Sequence, residues 1–160
     1  MRYKILFICL GNICRSSTAE AVMREKLIEA GLSDRVMVDS AGLIDYHEGE
    51  PSDPRMRLHA SQRGYTITHL SRPIRPRDFE TFDMIIGMDD SNIRSLMRLA
   101  QNDKEKSKIH KMTEFCVQTK ADTVPDPYYG GEPGFELVLD LLEDSCDGLL
   151  TYLQEILPPQ

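Results

Sequence analysis

The sequence predicts an α/β fold: a single domain with a four-stranded parallel sheet, strand order 2-1-3-4, and helices on both faces. Three observations carry that expectation. Short apolar runs at Ile5–Ile8, Val36–Val38 and Met84–Met88 read as strands, and Lys108–Met112 reads as a fourth. The segments between them place apolar residues at helical spacing, and strand–helix–strand units join parallel neighbours by right-handed crossovers. A chain of 160 residues has the size of one domain, spanning 1–160.

Composition narrows the function classes. Hydrophobic residues make up 41% of the chain, enough for a packed core. A net charge of −7 with no general basic surface argues against a nucleic-acid partner. No apolar run is long enough to span a membrane. The start, Met1-Arg2-Tyr3-Lys4, leads straight into a strand and lacks a signal-peptide cleavage pattern. Four cysteines are too few for a disulfide scaffold, so a reducing, cytoplasmic location is expected.

The first strand opens into Cys9-Leu10-Gly11-Asn12-Ile13-Cys14-Arg15-Ser16-Ser17, and a helix is expected over Thr18 to Ala30. Glycine lets such a loop turn sharply. Successive N–H groups in the turn form a concave nest for an anion, and the helix N-terminus adds partial positive charge. Arg15 supplies a fork of donors that matches phosphate oxygens two at a time. A cysteine at this point is expected as a thiolate. The loop Leu10 to Cys14 with Ser16 therefore pairs a nucleophile, Cys9, with a cage for a tetrahedral dianion.

This stretch resembles the phosphate-binding loop of the low-molecular-weight protein tyrosine phosphatases, which carry it at the N-terminus as here. The resemblance extends to the final helix and implies several roles. Ser40, otherwise a turn hydroxyl, would hydrogen-bond Asn12 and stiffen the loop. Tyr46, otherwise a half-exposed tyrosine, would form a cleft wall. His69 would support the loop through hydrogen bonds. In Val124-Pro125-Asp126-Pro127-Tyr128-Tyr129 the prolines restrict the backbone around Asp126. Asp126 reads as a turn aspartate or as a general acid on a stiffened loop, and the family carries an aspartate-proline-aromatic sequence here. Tyr128 and Tyr129 would line the cleft.

The remaining elements follow local signals. Ser17-Thr18-Ala19-Glu20 reads as a capping box, with Ser17 as N-cap. Asp53-Pro54 opens a helix that stops at Gly64. The arginines between Ser71 and Phe79 read as a solvated basic face, with recruitment of acidic phosphopeptides as the sharper reading. Asp89-Asp90-Ser91-Asn92 caps a helix, and capping alone accounts for Asp89. The last helix runs from about Gly134 to Leu157. Cys116 and Cys146 read as small core residues.

With parallel strands, Cys9, Ser40, Asp89 and Asp126 all follow strand ends on one edge, where ligands bind in flavodoxin-like sheets. The expected activity is hydrolysis of phosphotyrosine in proteins: Cys9 attacks phosphorus, Arg15 holds the phosphate, Asp126 serves as acid and base, and Ser16 supports the sulfur. No metal or cofactor is expected, and the chain is expected to be a monomer or weak dimer. Cys9 and Cys14 share the loop, and a disulfide between them would suit reversible oxidation. Three other readings compete. Related arsenate reductases need redox cysteines after the third strand, and 88–100 has none. Related phosphoarginine phosphatases carry threonine where Ile13 stands. A phosphotyrosine-binding module would need neither Cys9 nor Asp126.

Overall fold

Strand β1, Tyr3–Cys9, is apolar without alternation because both of its faces are covered. The protein is described from a computed structural model, which covers residues 2–128 and 132–158. Strand β1 pairs with β2 (Val36–Gly42) on one side and with β3 (Met84–Gly87) on the other. Strand β4, Ile109–Lys111, pairs with β3. All pairs are parallel, and the order is β2-β1-β3-β4, as expected.

Side chains that alternate along β1 feed two cores. Ile5 and Phe7 pack with Val22, Met23, Leu139 and Leu142, from helices α1 (Arg15–Glu29) and α6 (Glu132–Ile156). Leu6 and Ile8 pack with Phe79, Phe82, Ile85 and Leu96 on the other face. Helix α2, Pro54–Gln62, starts as its sequence signals: Asp53 accepts hydrogen bonds from the N–H groups of Arg55 and Met56. Gly64, at φ 89°, lies just beyond it. Among the described residues no helix is long and apolar enough to cross a membrane.

Several expectations are corrected. Helix α1 begins at Arg15 rather than Thr18, and its N-cap residue, Cys14, makes no side-chain capping bond. Ser17 lies inside the helix, and Glu20 is buried beneath the loop, where it accepts from Ser40 and Arg24. The capping-box pattern therefore has a tertiary use. Strand β2 continues to Gly42, so Ser40 lies within it. The segment read as a basic face contains helix α3, Pro76–Thr81. Arg72 is drawn into it by ion pairs to Asp39 and Asp78. Helix α4, Asp90–Leu99, is capped by Asp89 as expected. A short helix, α5 (Asp103–Lys106), and a 3-10 turn at Met112–Phe115 were not anticipated. Cys146 is fully buried as expected, whereas Cys116 is half-buried.

Candidate active site

The chain reverses within the loop at Asn12, whose φ of 59° is in the left-handed region that a non-glycine residue rarely adopts. Asn12 is 1% exposed, and its amide is fully bonded. Nδ2 donates to Ser16 Oγ (2.8 Å) and Ser40 Oγ (3.0 Å). Oδ1 accepts from the Arg72 N–H (3.0 Å) and lies 2.8 Å from His69 Nε2. Because Oδ1 can only accept, His69 Nε2 is the donor of that pair. The Ser40 hydroxyl in turn donates to Glu20 Oε1 at 2.8 Å, and His69 Nδ1 faces the same oxygen at 3.1 Å. The bond expected between Ser40 and Asn12 is present, and His69, expected to support the loop, meets it at Asn12.

The body of the protein holds the loop by its carbonyls. Leu10 O accepts from the N–H groups of Leu43 and Ile44, and Ile13 O from that of Asp53. Gly11 O accepts from Ser71 Oγ at 2.9 Å. In a trans peptide the N–H points opposite to the carbonyl, so tying the carbonyls outward turns the amides inward. The loop lies so close to β2 that a Cβ on Gly42 would sit 2.9 Å from Leu10 O, which requires glycine there.

Cys9 ends β1 and is 3% exposed. Its Sγ lies 3.0 Å from Ser16 Oγ and accepts from the Ser16 N–H at 3.4 Å. Ser16 Oγ already accepts from Asn12, so its own proton is available to the sulfur. Arg15 begins α1 and is 3% exposed. Its Nη1 donates to Asp89 Oδ2 (2.7 Å) and to Val124 O (3.0 Å), while Nη2 lies 3.6 Å from Asp126 Oδ2. Burial opposes the Arg15 charge, but Cys9, the bond to Asp89 and the nearby Asp126 outweigh it and hold its pKa above the ordinary value. Asp89 therefore does more than cap α4. A buried arginine needs a carboxylate partner, and that requirement was the available signal for it.

These groups open into a cleft. Cys9, Leu10, Gly11, Ile13, Cys14, Arg15, Tyr46, Asp126 and Tyr128 line it. Tyr46 is 84% exposed, so it forms a rim rather than a packed wall. Tyr129 lies outside the described residues. Ile44 and His47 also line the cleft and were missed. His47 sits beside the Tyr128 ring, with centroids 6.1 Å apart, and its Nδ1 is 3.1 Å from Glu50. A histidine next to a loop-tip aromatic was the visible hint. Desolvation, with Asp53 and Cys9 adding to it, pushes the Cys14 thiol far above its ordinary pKa.

Among the described residues, Glu20, Asp39 and His69 bring potential ligand atoms within 4.8 Å of one another. The two carboxylates are engaged with Ser40 and Arg72, and His69 Nε2 with Asn12.

An α/β protein with a buried thiol and a buried arginine in one anion-shaped loop, at the carboxyl edge of a parallel sheet, belongs to the class of proteins built to hold a tetrahedral anion. Comparison with known proteins makes this specific. Residues 4–157 match the low molecular weight phosphotyrosine protein phosphatase family. A low molecular weight protein-tyrosine-phosphatase of Streptomyces coelicolor is 39% identical, over 97% of this chain and 96% of its own length. A protein tyrosine phosphatase structure from Entamoeba histolytica superposes with a TM-score of 0.93 at 47% identity, covering 96% of this chain and 97% of that one. A Drosophila arginine phosphatase superposes with a TM-score of 0.88 at 32% identity, covering 94% and 98%. The chain belongs to the low molecular weight phosphotyrosine protein phosphatases, a family of phosphotyrosine hydrolases.

If Asn12 sets the loop, Asn12→Ala lowers stability by about 2–4 kcal/mol, from left-handed strain and the orphaned buried partners. Asn12→Gly removes the strain alone and recovers about 1 kcal/mol of that loss. Urea unfolding of the three proteins checks this ranking. An alanine variant as stable as the parent would contradict it.

Proposed function

We propose that residues 1–160 act as a single phosphatase domain. It hydrolyses phosphotyrosine in cytoplasmic proteins through a cysteinyl-phosphate intermediate, as a monomer or weak dimer. The observation that carries this reading is the convergence of the Cys9 sulfur, the Arg15 guanidinium and the Asp126 carboxylate on one cleft. Cysteines that are all free suit a reducing compartment.

The steps follow from the groups present. The phosphate dianion enters the nest of loop amides. With Nη1 engaged by Asp89 and Val124, Arg15 has its Nε and Nη2 donors left for the equatorial oxygens. Cys9 Sγ attacks phosphorus as the phenolic oxygen leaves, and Asp126 gives that oxygen its proton. Asp126 then takes a proton from a water that attacks the cysteinyl phosphate, and Cys9 departs as a thiolate. The Ser16 hydroxyl and N–H, both aimed at Sγ, stabilise the departing sulfur. Arginine and amides carry the charge stabilisation that a metal supplies in other phosphoryl transfers.

The likeness to an arginine phosphatase gives a second reading. Ile13 decides between the two here. It lines the cleft, and isoleucine has no hydroxyl with which to pair a guanidinium. Leaving those donors poorly paired costs about 1–3 kcal/mol, whereas a phenyl ring packs on Ile13 at no such cost. Leu10, Tyr46 and Tyr128 further favour a flat aromatic group. Phosphoserine is too short to carry its phosphate past these side chains to Cys9.

For peptides of matched sequence, kcat/KM for phosphotyrosine should exceed that for phosphoarginine by about 10-fold or more, with phosphoserine lower still. Equal turnover of phosphoarginine would remove the Ile13 argument and promote the second reading. Asp126→Ala should lower kcat/KM on phosphotyrosine by about 10²–10⁴-fold, and far less on aryl phosphates whose phenols leave without a proton. An equal loss across leaving groups would take Asp126 out of the acid role.

A further inference from the structure

The loop that bears Asp126 is stiffened locally by Pro125 and Pro127, but stiffness does not fix where a loop stands. Besides Arg15, a second connection ties this loop to the phosphate loop, through Asp53 and Arg55. Asp53 donates its N–H to Ile13 O of the phosphate loop at 2.8 Å and caps α2 with its carboxylate. The same carboxylate grips Arg55 through both oxygens: Arg55 Nε donates to Oδ1 at 3.1 Å and Nη2 to Oδ2 at 2.8 Å. Arg55 Nη2 then also donates to the main-chain carbonyl of Tyr128 at 3.0 Å. The guanidinium lies 5.0 Å from the ring centroid of Phe135 on α6 and 5.7 Å from that of Tyr128.

Two residues before that carbonyl is Asp126. The Tyr128 N–H donates to Asp126 Oδ1 at 3.0 Å, which sets the orientation of the carboxyl group. The other oxygen, Oδ2, is the one directed towards Arg15. A continuous path therefore runs from Ile13 through Asp53, Arg55 and Tyr128 to Asp126.

We propose that Arg55 is a positioning residue for proton transfer: it sets the Asp126 carboxyl at the height in the cleft where the leaving oxygen sits. The inference rests on Asp126 being the general acid. A surface arginine held only by one carboxylate would carry little weight, because an exposed ion pair contributes little. Here the Asp53 partner is buried although the Arg55 side chain is 49% exposed. Burial works against the Asp53 charge, but the bonds from Arg55 outweigh it and hold the Asp53 carboxyl below its usual range. The ion pair is therefore intact at neutral pH. Lysine cannot replace Arg55, since a point charge cannot hold two carboxylate oxygens and a carbonyl in one plane.

The test compares leaving groups in the full chain. Aryl phosphates running from strongly acidic to weakly acidic phenols are assayed with the parent, Arg55→Ala, Arg55→Lys, Asp126→Ala and Arg55→Ala/Asp126→Ala. Misplacement of the acid predicts that Arg55→Ala lowers kcat/KM, which reports the leaving-group step alone, about 10-fold for the weakly acidic phenols and less than about 2-fold for the most acidic. Arg55→Lys keeps most of that loss. In the Asp126→Ala background, removing Arg55 adds less than about 2-fold, because the two residues act as one unit. A loss that is equal across leaving groups, or that multiplies fully with Asp126→Ala, overturns the inference and makes Arg55 a stabilising residue only. If Asp126→Ala itself shows no leaving-group dependence, the acid reading fails first and the inference falls with it. Should Arg55→Ala not fold, Arg55→Met keeps an unbranched apolar side chain, removes the fork, and is held to the same outcomes.

Discussion

Asn12 sits at φ 59° with its amide buried, and its four hydrogen bonds run to Ser16, Ser40, His69 and the main chain of Arg72. A left-handed non-glycine residue costs about 1–2 kcal/mol, and buried hydrogen bonds at about 1 kcal/mol each offset it. The reversal at Asn12 brings Ser16 back under Cys9 and lets Arg15 begin α1. Without it the loop would run on from β1 with its amides spread along an extended chain, and neither the sulfur contact nor the anion nest would form. Ser40, His69 and the main chain of Arg72 bond that one amide directly, and Glu20 stands behind Ser40 and His69.

The parallel sheet supplies the rest of the geometry. Arg15 leaves β1, Asp89 leaves β3, and the segment with Val124 and Asp126 follows β4, so three successive strand ends meet around one guanidinium. Burying a charge is costly unless it is paired and hydrogen-bonded. Asp89 and Val124 O meet that cost on one side of Arg15 and leave the other side to the cleft. The arginine thereby links the sheet edge to the loop that carries Asp126, while Asp53 and Arg55 link the same loop from the opposite side.

Much of this was legible in the sequence because its signals are local. The apolar runs gave the strands, and their parallel order placed Cys9 and Asp126 on one edge. The spacing from Cys9 to Arg15, between strand and helix, gave the anion loop. What escaped was tertiary. Ser17 and Glu20 match a capping box, yet Glu20 is needed under Ser40, and a local pattern carries no record of that partner. Asp89 satisfied its capping signal, and only the general need of a buried arginine for a carboxylate pointed to its second bond, to Arg15. Arg72 read as solvated because the carboxylates that hold it, Asp39 and Asp78, lie on β2 and on the helix α3 that was not foreseen. His47 and Ile44 entered the cleft through a loop path that periodicity does not encode.

The central claim is that Cys9 takes the phosphoryl group from the substrate. Its most direct test is rapid acid quench during turnover of a phosphotyrosine peptide, followed by mass spectrometry of the loop peptide in the parent and in Cys9→Ser. The account predicts a phosphate on Cys9 in the parent, formed within one turnover, and neither label nor turnover in the variant. An unlabelled Cys9 under steady turnover, or turnover persisting in Cys9→Ser, would contradict it.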